Sequence, residues 1–285
     1  MHSRSIASNL GIYFYAAAAM FLGIMGLVSG DFAGGWQHVG PGVPLRVPLA
    51  YAAALIELAA GVALIVPRTA RVGAVTLTIV YAVFTLLWVP KALVDIFKPD
   101  YDAMGNVFEE FSMVAAGLVL CSIYSAGGSA LAGRERLFAR IFGLCPVSFG
   151  IVHIFDTMPG IAGFTPKWIP PGPLFWAYAT TISFFLAAAA ILSGRAALLA
   201  ARLLTAEIVG FQLLVWIPNL VAAPRQHFNW AGNGINMAIA GSAWVVADSI
   251  GRARKLKPMA EKSTSRVGTA ARGVVGECRG PGGIR

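Results

Sequence analysis

The chain has 285 residues, 57% of them hydrophobic and only 12% charged, with 22 Lys+Arg against 13 Asp+Glu. A soluble domain carries about a quarter charged residues, so this composition excludes a soluble globular protein and implies an integral membrane protein. Nine of the basic residues and two Glu lie between Gly251 and Arg285, so most of the net +9 sits in the tail, which argues against nucleic acid as a partner.

A hydrocarbon core about 30 Å thick is crossed by about 20 apolar residues in helix. Eight runs qualify, over approximately 10–28, 49–66, 72–90, 107–124, 138–155, 174–192, 199–217 and 232–250. The first, "LGIYFYAAAAMFLGIMGLV", has no charge and follows Arg4 like a signal peptide. It reads instead as an uncleaved helix, because the fifth run looks like its counterpart and the fifth cannot be a signal. Next comes the loop "GGWQHVGPGVPLRVP", and then a second run with Glu57 near its middle. The tight turn "PRTAR" leads to a third run ending in Trp88-Val89-Pro90. Trp suits the interface, and Pro cannot continue a helix ladder without a kink or an exit.

Asp95, Asp100, Asp102, Glu109 and Glu110 follow, opposite Lys91 and Lys98, and read as a solvated acidic face at the start of the fourth run. The fifth run carries His153, with Asp156 after it. Beyond the loop "FTPKWIPPGP" come the sixth run, the turn "SGRAA", and a seventh run that contains Glu207 and ends in Trp216-Ile217-Pro218. The loop "APRQHFNWAGN" brings His227, and Asn233, Asn236 and Asp248 dilute the eighth run. From Gly251 large apolar residues almost vanish, and the segment is expected to be a basic disordered cytosolic tail. Cys121, Cys145 and Cys278 form no C-x-x-C and read as single thiols.

Lys and Arg mark the cytosolic side. With the N-terminus inside, 17 basic residues fall in inner segments and 5 in outer ones; without the tail the ratio is 8 to 5. Both termini are therefore expected in the cytosol, in a multi-pass protein of the cell membrane whose partner is the lipid bilayer.

The runs pair up. Trp88-Val-Pro90 falls on Trp216-Ile-Pro218 at an offset of 128. Tyr51, Arg68 and Ala70 fall on Tyr178, Arg195 and Ala197 at 127, and "SMVAAG" at Ser112 falls on "NMAIAG" at Asn236 at 124. The ordered set implies an all-α polytopic transmembrane helical bundle of eight helices in two parallel four-helix repeats. Residues 1–130 form the first unit, 131–250 the second and 251–285 the tail. Each unit has an even number of helices, so both enter from the same side.

Phe149-Gly150-Ile-Val-His153, Pro173-Leu-Phe-Trp176-Ala-Tyr178, the Arg195 turn and Trp216-Ile-Pro218 together resemble DoxX-like membrane proteins. The first copy departs from the pattern with Gly26 where the second has His153. The family mostly has a single four-helix unit, so the doubling is a further departure. The resemblance implies the fold, and a role as a non-catalytic or accessory subunit of a quinone-linked redox system, with a membrane or redox protein as partner.

Candidate site residues follow from polarity where lipid disfavours it. His153, Asp156, Gln212, Trp216, Asn219 and His227 make the outer half of the second unit the most polar membrane region, a candidate site for a quinone or haem. The spacing is no metal signature. Glu57 and Glu207 are intramembrane acids, each costly at bilayer depth, and support the alternative reading of a small-molecule or proton-coupled carrier. They align with Phe184 and Ile79, so neither belongs to the shared plan. No catalytic residue can be named.

Overall fold

A computed structural model describes residues 10–95, 97–98, 101–125, 129–156 and 160–277, with side chains omitted for 129–132 and from 256 onward; Arg4, Asp100 and Cys278 lie outside these residues. Among the described residues every regular element is helical. Helices α1 (Leu10–Ser29), α2 (Arg46–Ile65), α3 (Ala70–Asp95) and α4 (Asp102–Tyr124) make the first half. Helices α5 (Ser129–Ile141), α6 (Leu144–Phe155), the single turn α7 (Ala162–Phe164), α8 (Pro173–Ser193), α9 (Ala197–Phe211), α10 (Ile217–Ala222) and α11 (His227–Glu277) follow.

The fifth run, read as one helix, is two elements that meet at Phe142 and Gly143. Pro146 supplies the reason: it has no N–H to donate to the Phe142 carbonyl four residues back, and its ring crowds that carbonyl. The two Trp-x-Pro sequences are treated differently. Helix α3 runs straight through Pro90 to Asp95. Before Pro218 the chain widens into a π-helical turn, Gln212–Trp216, in which the Ile217 N–H reaches the Gln212 carbonyl. Such a turn inserts one residue into the ladder and eases the clash a proline creates.

The segment after Gly251, expected without fixed structure, continues α11 as helix through Glu277. Nucleating a helix is costly but extending one is cheap. This segment extends a helix already fixed by burial, and its Ala, Lys, Arg and Glu are good helix formers. Ser249 Oγ donates to Glu135 Oε1 at 2.6 Å and Arg252 pairs with the same carboxylate at 3.6 Å, tying the start of the extension to α5.

Among the described residues seven helical segments are long and apolar enough to cross a membrane; α11 is not one of them. Leu55, Ile79, Leu86, Ile182, Leu186 and Leu203 stand exposed on the outer faces of α2, α3, α8 and α9. Apolar surface on that scale marks a lipid-facing exterior. The chain is a multi-pass membrane protein.

Helix α1 packs on α2 and α11, α2 on α3, and α3 on α4; α4 touches α5, α6 and α11; α6 packs on α8, α8 on α9, and α9 on α11. The first half of α11 is thus enclosed by α1, α4 and α9. Ala231, Ala238, Ala240, Ala243, Val245, Val246 and the polar Ser242 are fully buried there, and Asn233 and Asn236 are buried with them. Its modest apolarity follows from its place: a helix that meets protein rather than lipid can carry polar groups that find partners.

The α1–α11 crossing is tight enough to need glycine. A Cβ on Gly11 would lie 2.6 Å from the Val245 nitrogen, and one on Gly241 2.7 Å from the Tyr15 Cα. Close approach through small residues is how helices gain contact in a bilayer. Gly241→Leu is expected to destabilise the bundle by about 1–3 kcal/mol through overpacking. Gly42→Ala, with nothing within 4 Å of the new atom, should be neutral. Unfolding in detergent micelles checks both.

Candidate functional site

The loop between α1 and α2 does not stay outside. Gly30 (φ +64°) and Gly35 (φ +99°) adopt left-handed conformations that glycine takes without strain. They let the chain fold back so that Phe32, Ala33, Trp36 and Gln37 are buried. The Ala33 N–H donates to Gln37 Oε1 at 2.9 Å, which aims the Gln37 amide inward. Gln37 Nε2 then donates to Glu57 Oε1 on α2 at 2.8 Å. The Trp36 indole N–H donates to Glu109 on α4, and the Trp36 carbonyl accepts from the Trp88 indole on α3. His38 stacks on Trp88 with ring centroids 4.3 Å apart. One loop thereby ties three helices of the first half together.

Beneath it lies a polar interior. Glu57 is 2% exposed and Glu110 is wholly buried. Both Glu110 carboxylate oxygens and the hydroxyl of the fully buried Tyr81 have no hydrogen-bond partner. Glu57 and Glu109 lie within electrostatic reach of Glu110, and Tyr81 within reach of Glu57, Glu110 and Tyr15. Tyr15 meets Tyr81 edge to face at 6.2 Å and donates its own hydroxyl to the Met113 carbonyl at 2.9 Å. Among the described residues no Lys or Arg pairs with Glu57, Glu109 or Glu110. The sequence suggested Glu57 alone. Glu109 and Glu110, expected on a solvated face, turn into the bundle, and Asp95 is buried and paired with Lys91. The signal that could have found them is the pair of adjacent acids beside an Ala/Gly-rich helical face.

The second half handles its polar groups differently. Gln212 Nε2 donates to Asn233 Oδ1 at 2.6 Å, and Asn236 Nδ2 donates to Gln212 Oε1 at 2.7 Å. Asn236 also donates to the Ile208 carbonyl at 3.1 Å, and Asn233 to the Trp216 carbonyl at 2.9 Å. Asn229 Nδ2 donates to the carbonyls of Asn219 and Ala223 at 3.0 and 3.2 Å. These carboxamides serve the backbone around the π turn and bind it to α11. Of the residues expected to form an outer site, Gln212 and Asn219 therefore belong to this internal network.

Trp216 packs among Trp36, Phe228 and Phe164, with centroids 5.7, 6.0 and 6.3 Å away. Both Trp-x-Pro indoles thus meet Trp36, one through its carbonyl and the other through its ring. The two imidazoles have different neighbours. His153 Nδ1 lies 3.3 Å from Thr180 Oγ1 and its ring meets Phe184 edge-on at 5.0 Å. His227 Nε2 lies 3.0 Å from Met25 Sδ on α1. Asp156 closes α6, its N–H bonded to the Val152 carbonyl at 2.8 Å. Glu207 Oε2 accepts from Ser183 Oγ at 2.6 Å while its buried Oε1 has no partner. Among the described residues no group of three His, Cys, Asp or Glu could hold a metal ion.

Removing Asn236 strips a donor from both Gln212 Oε1 and the Ile208 carbonyl. Asn236→Ala is expected to destabilise the protein by about 1–3 kcal/mol, the cost of unsatisfied buried groups. In a double-mutant cycle, Gln212→Ala should couple to it by about 0.5–3 kcal/mol; additive losses in micelle unfolding would contradict the network. No protein-family model, curated protein or solved structure matches the chain, so its functional reading rests on this geometry.

Proposed function

We propose that the chain is a DoxX-like, non-catalytic binding protein of the cell membrane, and that its ligand site is the interior of the first half beneath Trp36 and Gln37. The observation that carries this reading is the contrast between the halves. The carboxamides of the second half answer one another, whereas Glu110 and Tyr81 in the first keep three buried polar atoms without a partner. Leaving such groups unmade inside a protein costs about 1–3 kcal/mol each, more when charged. A fold retains that cost where the groups have a use. The site moves from the outer face of the second unit, where sequence polarity pointed, to the first.

In this reading α11 is the eighth crossing, the halves are two parallel four-helix repeats, and both termini are cytosolic. The packing supports the repeat. The contact of α1 with α11 has its counterpart in that of α4 with α6, and α4 and α11 meet between them. A twofold axis along the membrane normal exchanges those pairs. The accessory role in a quinone-linked system draws its support from the family resemblance. Haem draws none from the imidazoles, since His153 and His227 pack against different helices. The carrier alternative keeps one observation in its favour, the unpartnered Oε1 of Glu207 in the second half.

The test is whether a small molecule can reach the interior carboxyls. An apolar carbodiimide, applied to the protein in mild detergent and followed by peptide mass spectrometry, is expected to modify Glu110 or Glu57. The modification should be faster in Gln37→Ala, which loosens the loop from Glu57. If neither carboxyl is modified in either protein, the interior is sealed and the reading fails.

A further inference from the structure

We infer that the interior site of the first half binds a small primary ammonium group, an inference that rests on the binding reading above and names its ligand class. Glu110 on α4 lies within electrostatic reach of Glu109 beside it and of Glu57 on α2. Their protein donors are few and neutral. Gln37 gives one N–H to Glu57, Trp36 gives one to Glu109, and Glu110 receives none. An acidic cluster alone would not define a site. The second observation is Tyr81, whose hydroxyl is fully buried, without a partner, and within electrostatic reach of Glu57 and Glu110.

The occupant has to supply what the protein lacks, namely positive charge and hydrogen-bond donors. A proton neutralises one carboxyl and supplies a single O–H donor, fewer than the three open oxygens of Glu110 and Tyr81. A bare metal cation brings charge without N–H groups, and the described acids are not grouped as metal ligands. An ammonium carries one charge and three donors on a compact head. Its three N–H groups equal in number the three open oxygens, two on Glu110 and one on Tyr81. Aromatic faces complete the fit, because Tyr15, Tyr81 and the neighbouring Phe84 are buried on α1 and α3. Ring faces attract cations most strongly where water is excluded. A guanidinium can pair with the two oxygens of Glu110, but it is a larger planar fork with five donors for three open oxygens.

Free amines and the ethanolamine headgroup of a lipid share this chemistry. The experiment is therefore carbodiimide protection at Glu110 with four probes: methylammonium, tetramethylammonium, potassium, and a lysolipid bearing an ethanolamine headgroup. Methylammonium is expected to slow modification of Glu110, while tetramethylammonium and potassium, which carry charge without N–H, leave it unchanged. Protection by the lysolipid at lower concentration than by methylammonium assigns the amine to a lipid; protection by methylammonium alone assigns it to a free solute. Tyr81→Phe removes one acceptor without removing charge and should weaken protection by about tenfold, the value of one hydrogen bond to a charged group. Each variant is compared only where it elutes as the wild type does in size exclusion. If Glu110 is modified but neither ammonium probe protects it, the ammonium assignment is overturned while the interior site stands. Equal protection by potassium overturns it as well, and absence of modification overturns both readings together.

Discussion

Hydrocarbon offers no hydrogen-bond partner, and that constraint sorts every polar side chain in this bundle. A helix facing lipid can carry few polar groups, so the helices with acids and amides turn those faces inward. The most polar of the long helices, α11, takes the most enclosed position, between α1, α4 and α9. Its place then dictates the rest. Backbones must approach at Gly11 and Gly241 for α1 to seat against it. The α9 side gives it carbonyl partners, those of Ile208 and Trp216, which Asn236 and Asn233 take up.

The same constraint explains the inserted loop. Glu57 sits mid-helix on α2, where no lipid-side group can serve it, and the Gln37 amide comes down from the α1–α2 connection to do so. Trp36 goes with it and becomes the meeting point of the two halves: Trp88 donates to its carbonyl, while Trp216 and Phe228 pack on its ring. Trp88 and Trp216, placed by sequence at the membrane interface, join the loop to the bundle. Trp36 and Trp88 are buried at that junction, and their apolar rings strengthen the polar contacts beneath them.

Much of the architecture was legible because it rests on apolar length. The runs from Leu10, Val72 and Leu174 each fall inside an observed helix. Glu57 and Glu207 were legible because an acid within an apolar run is conspicuous. Glu109 and Glu110 were not. The fourth run was read from about residue 107, which left both acids at the rim. Helix α4 starts at Asp102, whose carboxylate suits a helix N-terminus. At 1.5 Å per residue, Glu110 then lies about 12 Å inside the helix. Trp36 and Gln37 were hidden for another reason. A stretch such as "GGWQHVGPG" looks like any outer turn, and what buries it is the contact it makes with helices far away in sequence. The continuation of α11 past Gly251 was missed because composition describes a segment alone, whereas helix propagation depends on the turn before it.

Under the proposed repeat, the second copy tests whether the acids are needed for packing. Glu57 aligns with Phe184, Tyr81 with Val209 and Glu110 with Gly234. Phe184 packs against His153 at 5.0 Å, Phe149 at 5.5 Å and Phe211 at 6.2 Å, with no acid among these ring contacts. At Gly234 a Cβ would meet Leu22 at 2.5 Å, so α1 fills the space that a side chain would take. One copy of the unit therefore packs with Phe, Val and Gly at the positions where the other carries Glu, Tyr and Glu. Packing alone does not call for two carboxyls and a phenol there, and burying them costs stability. Selection for a function at that place is the remaining reason to carry them, and the proposed site is located in the first half on that ground.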